Sequence, residues 1–321
     1  MDTSLPRQRF CRLICGLALV AGGAWLSPLA SAGMAASTVS RPAKSGHRIK
    51  TVFLIVMENH NWSSISGNST APYINTTLLP MASYSERYYT PPHNHPSLPN
   101  YLWLVAGTNF GITDDNPPSD HPLTTNHQLM ALLDKARIPW KAYEESAAGN
   151  SCPVTDHDRY AVRHDPFVYF SYVTARTAYC TQHVRPSSQL AADLAHNTVA
   201  RYNFITPNVC NDMHDQCAPI NDTVRQGDAW LARTVPRILS SRAYRGSGVL
   251  FIVWDEGSGD SDGPIGLMAL SPSARGHRYA GSLYYTHSSL LRTVEEIFSL
   301  HPLLGDAARA RDLRQLFSAF P

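Results

Sequence analysis

The stretch Thr51-Val52-Phe53-Leu54-Ile55-Val56-Met57, followed at once by Glu58-Asn59, decides how this chain folds. A continuous apolar run rich in β-branched residues suits a strand buried on both faces, as in the middle of a parallel sheet. A second run, Val249-Leu250-Phe251-Ile252-Val253-Trp254, ends in Asp255-Glu256. Open α/β sheets bind ligands beyond the carboxyl ends of such strands. Three carboxylates and an amide are therefore expected at one sheet edge, and oxygen ligands gathered there point to a divalent metal.

Working outward, Tyr202-Asn203-Phe204-Ile205-Thr206, Trp140-Lys141-Ala142-Tyr143 and Ile265-Gly266-Leu267-Met268-Ala269-Leu270 also read as strands. Helical spacing is expected over Tyr73–Tyr84, Tyr101–Gly107, Gln128–Ala136, Thr223–Ser240 and Ser288–Leu300. In the helix from Thr223, residues Leu231, Val235 and Leu239 share one face. Strands alternating with helices predict an α/β fold with a largely parallel central sheet and helices on both faces. Residues 149–186 lack a clean period and are expected to be an insertion over the sheet edge.

The chain has 321 residues, enough for a large core. Arg7, Arg9 and Arg12 precede an apolar run from Leu13 to Leu26, and Leu29-Ala30-Ser31-Ala32 resembles a small-residue cleavage site. Residues 1–32 therefore read as a secretory signal peptide, too short in its apolar part to span a bilayer. Residues 33–48 read as a flexible leader and 49–321 as a single domain, which predicts a periplasmic or secreted protein without a stable membrane anchor. Removing 1–32 lowers Lys+Arg from 27 to 24 and Asp+Glu from 25 to 24. A nearly neutral chain argues against nucleic acid as a partner. Cys152, Cys180, Cys210 and Cys217 would remain, and an even number in a secreted chain suggests disulfides. Of the three possible pairings, Cys152–Cys180 with Cys210–Cys217 is favoured because each closes a local loop. A zinc site is the competing reading, though paired Cys-x-x-Cys spacing is missing.

Five islands carry candidate chemistry. Besides Glu58-Asn59, the segment His93-Asn94-His95-Pro96-Ser97-Leu98-Pro99-Asn100-Tyr101 puts a serine between prolines just before an apolar helix. A helix N-terminus offers free N–H groups and a positive dipole end, a good place to hold a phosphate while a nucleophile attacks. Arg163-His164-Asp165-Pro166 is the third. Pro207-Asn208-Val209-Cys210-Asn211-Asp212-Met213-His214-Asp215 follows a strand and would be pinched by a Cys210–Cys217 bridge. The fifth pairs Asp255-Glu256-Gly257 with His287-Ser288-Ser289-Leu290-Leu291. Taken singly, each has an ordinary explanation as a turn, cap or solvated loop.

Taken in order, the islands resemble the secreted phosphoesterases, the family of bacterial phospholipases C and acid phosphatases within the alkaline-phosphatase-like superfamily. The resemblance implies an alkaline-phosphatase-like fold and a metal-dependent phosphoric-ester hydrolase. It implies Ser97 as a nucleophile that forms a phosphoserine, and Glu58, Asn59, Ser97, Asp255 and Glu256 as ligands of one divalent ion. Calcium, magnesium, manganese and zinc are all compatible. His164, His214 and His287 are implied to contact the phosphoryl group or protonate the leaving group. Asp212 and Asp215 would orient them and, with Asn100, contact substrate. An acid phosphatase acting on a small phosphate ester is the leading expectation. The alternative is a phospholipase C on phosphocholine-type lipid headgroups, with Tyr160, Phe167, Tyr169, Phe170, Tyr172 and Tyr179 as a choline cage or a lipid-facing wall, against the commoner role of such aromatics as ordinary packing. A binding protein that merely kept the fold is a third reading, and the presence of Ser97 and every implied ligand argues against it.

Overall fold

The structure is a computed structural model and describes residues 49–149, 151–259 and 263–321. The expected signal peptide and leader lie outside these residues. Ten strands are found among the described residues: β1 Thr51–Met57, β2 Ser83–Ser85, β3 Tyr88–Tyr89, β4 Trp140–Glu144, β5 Val184–Pro186, β6 Tyr202–Thr206, β7 Gly248–Trp254, β8 Leu267–Leu270, β9 Tyr279–Gly281 and β10 Tyr285–Thr286. Eight of them form one sheet in the order β5-β4-β6-β1-β7-β8-β2-β9, and β10 pairs with β3 separately. All seven residues of β1 and of β7 are buried, as their unbroken apolar runs require.

β1 pairs in parallel with β6 on one side and β7 on the other. β1 thus lies in the middle of the parallel strands, and open α/β sheets bind ligands beyond the carboxyl ends of such strands. β4 and β5 extend the parallel arrangement beyond β6. β8 runs antiparallel to both β7 and β2. Its connection from β7, residues 255–266, forms no helical crossover among its described residues, and an antiparallel neighbour needs none. The sheet is therefore largely parallel with one reversed strand.

Helices Leu129–Lys135, Thr223–Ser240 and His287–Phe298 closely follow their sequence periods. The expected helix over Tyr73–Tyr84 is shorter. Its helical part ends at Met81, and Ser83–Ser85 becomes β2 because pairing with β8 and β9 overrides local propensity. The helix expected at Tyr101 begins earlier, at Ser97, and runs to Ala106. Gly107 ends it with φ 69°, and a Cβ there would lie 2.7 Å from the Leu304 carbonyl oxygen.

The segment after β4 carries short helices and the edge strand β5. Disulfides join Cys152 to Cys180 and Cys210 to Cys217, the two local closures favoured above. Tyr160, Phe167, Tyr169 and Phe170 are buried in the core, and Tyr172 and Tyr179 stack on Arg176. The aromatics of this segment are packing groups and not an exposed lipid wall. No helix among the described residues is long and apolar enough to cross a membrane.

Candidate active site

Register brings the two acidic strand ends together. Met57 lies opposite Trp254, and the Asp255 amide donates to the Met57 carbonyl at 2.9 Å, so Glu58 and Asp255 leave the sheet side by side. Asn59 takes φ 45°, a left-handed turn that Asn tolerates, and its amide donates to Asp255 Oδ1 at 3.1 Å. The loop after β6 is tied to the same point, because the Glu58 amide donates to the Asp212 carbonyl at 2.8 Å.

The helix Ser97–Ala106 delivers the serine. Ser97 and Tyr101 stand four residues apart, one helical turn, and so share a face. Ser97 Oγ donates to Glu58 Oε2 at 3.1 Å, and Tyr101 Oη donates to Glu58 Oε1 at 2.5 Å. Both carboxylate oxygens of a fully buried Glu58 are thus held by one helix face. Asn100 Nδ2 donates to Glu256 Oε2 at 2.9 Å and to the Asn94 carbonyl at 2.6 Å. His95 Nδ1 lies 2.8 Å from the same Glu256 oxygen. Glu256 is therefore bound to the loop before the serine helix.

His164 lies under the Tyr101 ring, with centroids 5.1 Å apart and planes nearly parallel. Its Nε2 is 3.4 Å from Glu58 Oε1 and its Nδ1 is 3.3 Å from Asp212 Oδ2. Burial, reinforced by the nearby Arg163 and His214, pushes its pKa well down, which keeps the imidazole neutral and able to offer a lone pair. His214 Nδ1 lies 2.7 Å from Asp215 Oδ1, and its Nε2 is 3.4 Å from Arg163 Nη2. The His214 amide donates to Asp212 Oδ1 at 2.8 Å. His287 is engaged at both ring nitrogens: Nε2 donates to the Asp255 carbonyl at 2.6 Å, and Nδ1 accepts from Tyr88 Oη at 3.0 Å. Burial pulls its pKa down to about 4.

The structure thus gathers Glu58, Ser97, His164, Asp212, His214 and Asp255, with Asn59, Asn100, Asp215, Glu256 and His287 in supporting contact with that group or its neighbours. Glu58, His164 and His214 each offer one ligand atom within 4.8 Å of the others. That triad combines a residue expected as a metal ligand with two histidines expected to meet the phosphoryl group.

The charges support a cation here. Glu58 is buried with Asp255 and Asp212 close by, and its pKa is pushed well up, first by burial and then by these two carboxylates. Burial raises Asp212 likewise, and it raises Asp255 to about 6 despite amide and hydroxyl hydrogen bonds. Asn59 Oδ1, His164 Nε2, Asp212 Oδ2 and Asp255 Oδ2 are buried without a hydrogen-bond partner. Crowded buried carboxylates and unsatisfied lone pairs are costly alone and suit a divalent ion. The donor set is mainly oxygen with imidazole, a set that suits a divalent ion.

A sequence model of the Phosphoesterase family matches residues 83–301. The chain belongs to the phosphoesterase family. This phosphoesterase is 28% identical over 317 residues to a phosphatidylinositol-3-phosphatase of Mycobacterium tuberculosis, covering 98% of this chain and 97% of that one. It is 28% identical over 221 residues to a phosphate-repressible acid phosphatase of Penicillium chrysogenum, covering 66% of this chain but 51% of that protein. A protein of the alkaline phosphatase superfamily from Vibrio parahaemolyticus superposes with TM-score 0.54 at 9% identity, over 83% of this chain and 70% of that one. The lipoteichoic acid synthase LtaP of Listeria monocytogenes superposes with TM-score 0.54 at 10% identity, over 79% and 74%. These likenesses establish the alkaline-phosphatase-like fold of the phosphoesterase.

Tyr101 and Arg163 were not singled out by sequence reasoning. Each lay inside a quoted motif, but only the fold shows that a tyrosine one turn after the serine reaches Glu58, and that Arg163 faces His214.

Proposed function

We propose that this phosphoesterase is a cation-dependent phosphomonoesterase in which Ser97 attacks phosphorus. The observation that carries the reading is the hydrogen bond from the Ser97 hydroxyl, at a helix N-terminus, to buried Glu58 among carboxylates that lack counter-charge. Glu58 and His164, with Asn59, Asp212 and Asp255 adjoining, are the residues that would hold a divalent ion, which leaves the neighbouring His214 for proton transfer. Such an ion would supply positive charge that favours the serine alkoxide and offsets phosphoryl charge.

The chain's own groups account for the rest. The Ser97 proton lies on the bond to Glu58 Oε2, so that carboxylate receives it as Oγ bonds to phosphorus. The ester P–O bond breaks, and the departing alkoxide takes a proton from the imidazolium form of His214, which Asp215 steadies. Water then cleaves the phosphoserine and restores Ser97: His214 regains its proton from the attacking water as Glu58 returns its own to the serine. His287 acts by positioning, since both its nitrogens brace the Asp255 strand end and Tyr88. Asn100 steadies the entry loop through Asn94 and Glu256.

The acid phosphatase relatives support a monoester substrate, and the phosphatidylinositol-3-phosphatase, matched almost end to end, supports a phosphorylated lipid headgroup within that class. The phosphocholine alternative loses support with the burial of its aromatic wall. The test compares p-nitrophenyl phosphate with its phosphocholine diester, before and after chelation and in Ser97→Ala. Monoester turnover lost on chelation, regained with a divalent ion and reduced at least about 10³-fold in Ser97→Ala supports the proposal. Turnover unaffected by both treatments would remove it.

A further inference from the structure

Asp115 stands against the serine helix from a distant loop. Its Oδ1 accepts from the Leu98 amide at 2.9 Å, and its Oδ2 lies 3.7 Å from Arg163 Nε. Leu98 directly follows Ser97. The same Arg163 guanidinium reaches His214 Nε2 at 3.4 Å. A first-turn helix amide and an arginine are the two groups that recognise a phosphoryl oxygen. Close by, the unpartnered buried His164 Nε2 faces the Glu58 carboxylate that Ser97 touches. Asp115 itself is only partly covered, its side chain 33% exposed, and so can swing toward solvent in a way that buried Asp212 cannot.

We propose that Asp115 is a specificity-determining residue: its carboxylate occupies the anion-recognition groups beside the nucleophile in the free protein and must yield them to the phosphoryl group. This rests on the assignment of Ser97 as the nucleophile. An anion held there competes with every phosphate that arrives, product included. The side chain therefore weakens binding of phosphate and speeds its release. A monoester with a favourable remainder can displace it, whereas free phosphate is expelled.

The full-length protein, supplied with a divalent cation, is titrated with inorganic phosphate by calorimetry, unmutated and as Asp115→Asn. Asn retains the acceptor for the Leu98 amide and removes the charge. The expected result is phosphate bound about tenfold or more tightly by the variant, with kcat and KM for the monoester both lowered as product release slows. Asp115→Ala, which also removes the cap, should tighten phosphate as well. A phosphate affinity within twofold of the unmutated protein would make Asp115 a helix cap only, and a weaker one would make it a support for Arg163. Either result overturns the inference while unmutated activity leaves the Ser97 assignment standing. Phosphate bound by neither protein, together with no monoester hydrolysis, overturns both.

Discussion

Gly227→Ala tests how tightly the Asp212–Asp215 loop is fitted to the helix beneath it. Gly227 lies inside the helix Thr223–Ser240, where glycine costs about 1 kcal/mol relative to alanine. On propensity alone the substitution should stabilise. A Cβ built there, however, falls 2.3 Å from Met213 Cγ, 2.6 Å from Met213 Cε and 2.9 Å from Met57 Cε. Carbon atoms rest at about 3.5–4.0 Å, so Met213 must retreat by more than about 1 Å. The thioether tip can turn aside, but Cγ is close to a backbone already held at φ 87° between Asp212 and His214. Overpacking of this kind costs about 1–3 kcal/mol, leaving a net loss of stability from near zero to about 2 kcal/mol. The effect on turnover should be larger, because a misplacement of about 1 Å can cost about 10²-fold. The assay is kcat on p-nitrophenyl phosphate beside the melting temperature. Restored turnover in Gly227→Ala/Met213→Ala would identify the collision as the cause. A single variant that melts higher and keeps kcat within twofold would refute the reasoning.

Tyr101→Phe keeps the ring on His164 and deletes the hydroxyl on Glu58, a bond to a charged acceptor worth about 1.5–3 kcal/mol. We expect kcat/KM to fall about 10- to 100-fold with the fold intact. Unchanged kinetics would show that Ser97 alone orients Glu58. Glu295 is buried, with Oε1 accepting from the Leu304 amide and Oε2 unpartnered, and burial raises its pKa to about 7. The folded state therefore holds its proton more firmly than the unfolded chain. The stability this provides is full below about pH 4.5 and is lost as pH rises through about 7, up to roughly 3 kcal/mol. Glu295→Gln should flatten this part of the melting-temperature profile between pH 5 and 8, and slopes parallel to the unmutated protein would contradict it.

The central architecture was legible because its signals are local. The unbroken runs at Thr51 and Val249 mark strands buried on both faces, and an acidic pair at the end of each needs only the sheet to become a neighbour of the other. The helix Thr223–Ser240 carries its own amphipathic period and an Asp222 cap, so its limits match. The short strands β2, β3, β9 and β10 carry no such period; their two or three residues become strands only by pairing. The histidines illustrate the same limit. His164 and His287 look alike as isolated sequence positions, yet one faces Glu58 and the other has both nitrogens committed to Tyr88 and the Asp255 backbone. Asp115, an acidic residue in a Pro-rich loop, gives no hint of its place at the Leu98 amide.

The Cys210–Cys217 bridge carries a consequence for where the protein can work. It closes a separation of seven residues that includes Asp212, His214 and Asp215. Cutting such a link returns loop entropy of about 2.5 kcal/mol to the unfolded chain and lowers the stability of the fold by about that much. Newly made chain in a thiol-rich compartment would therefore hold less of the folded form that brings Asp212, His214 and Asp215 together. Pairing of the two sulfur atoms adds that stability, so the fold is most secure in oxidising surroundings.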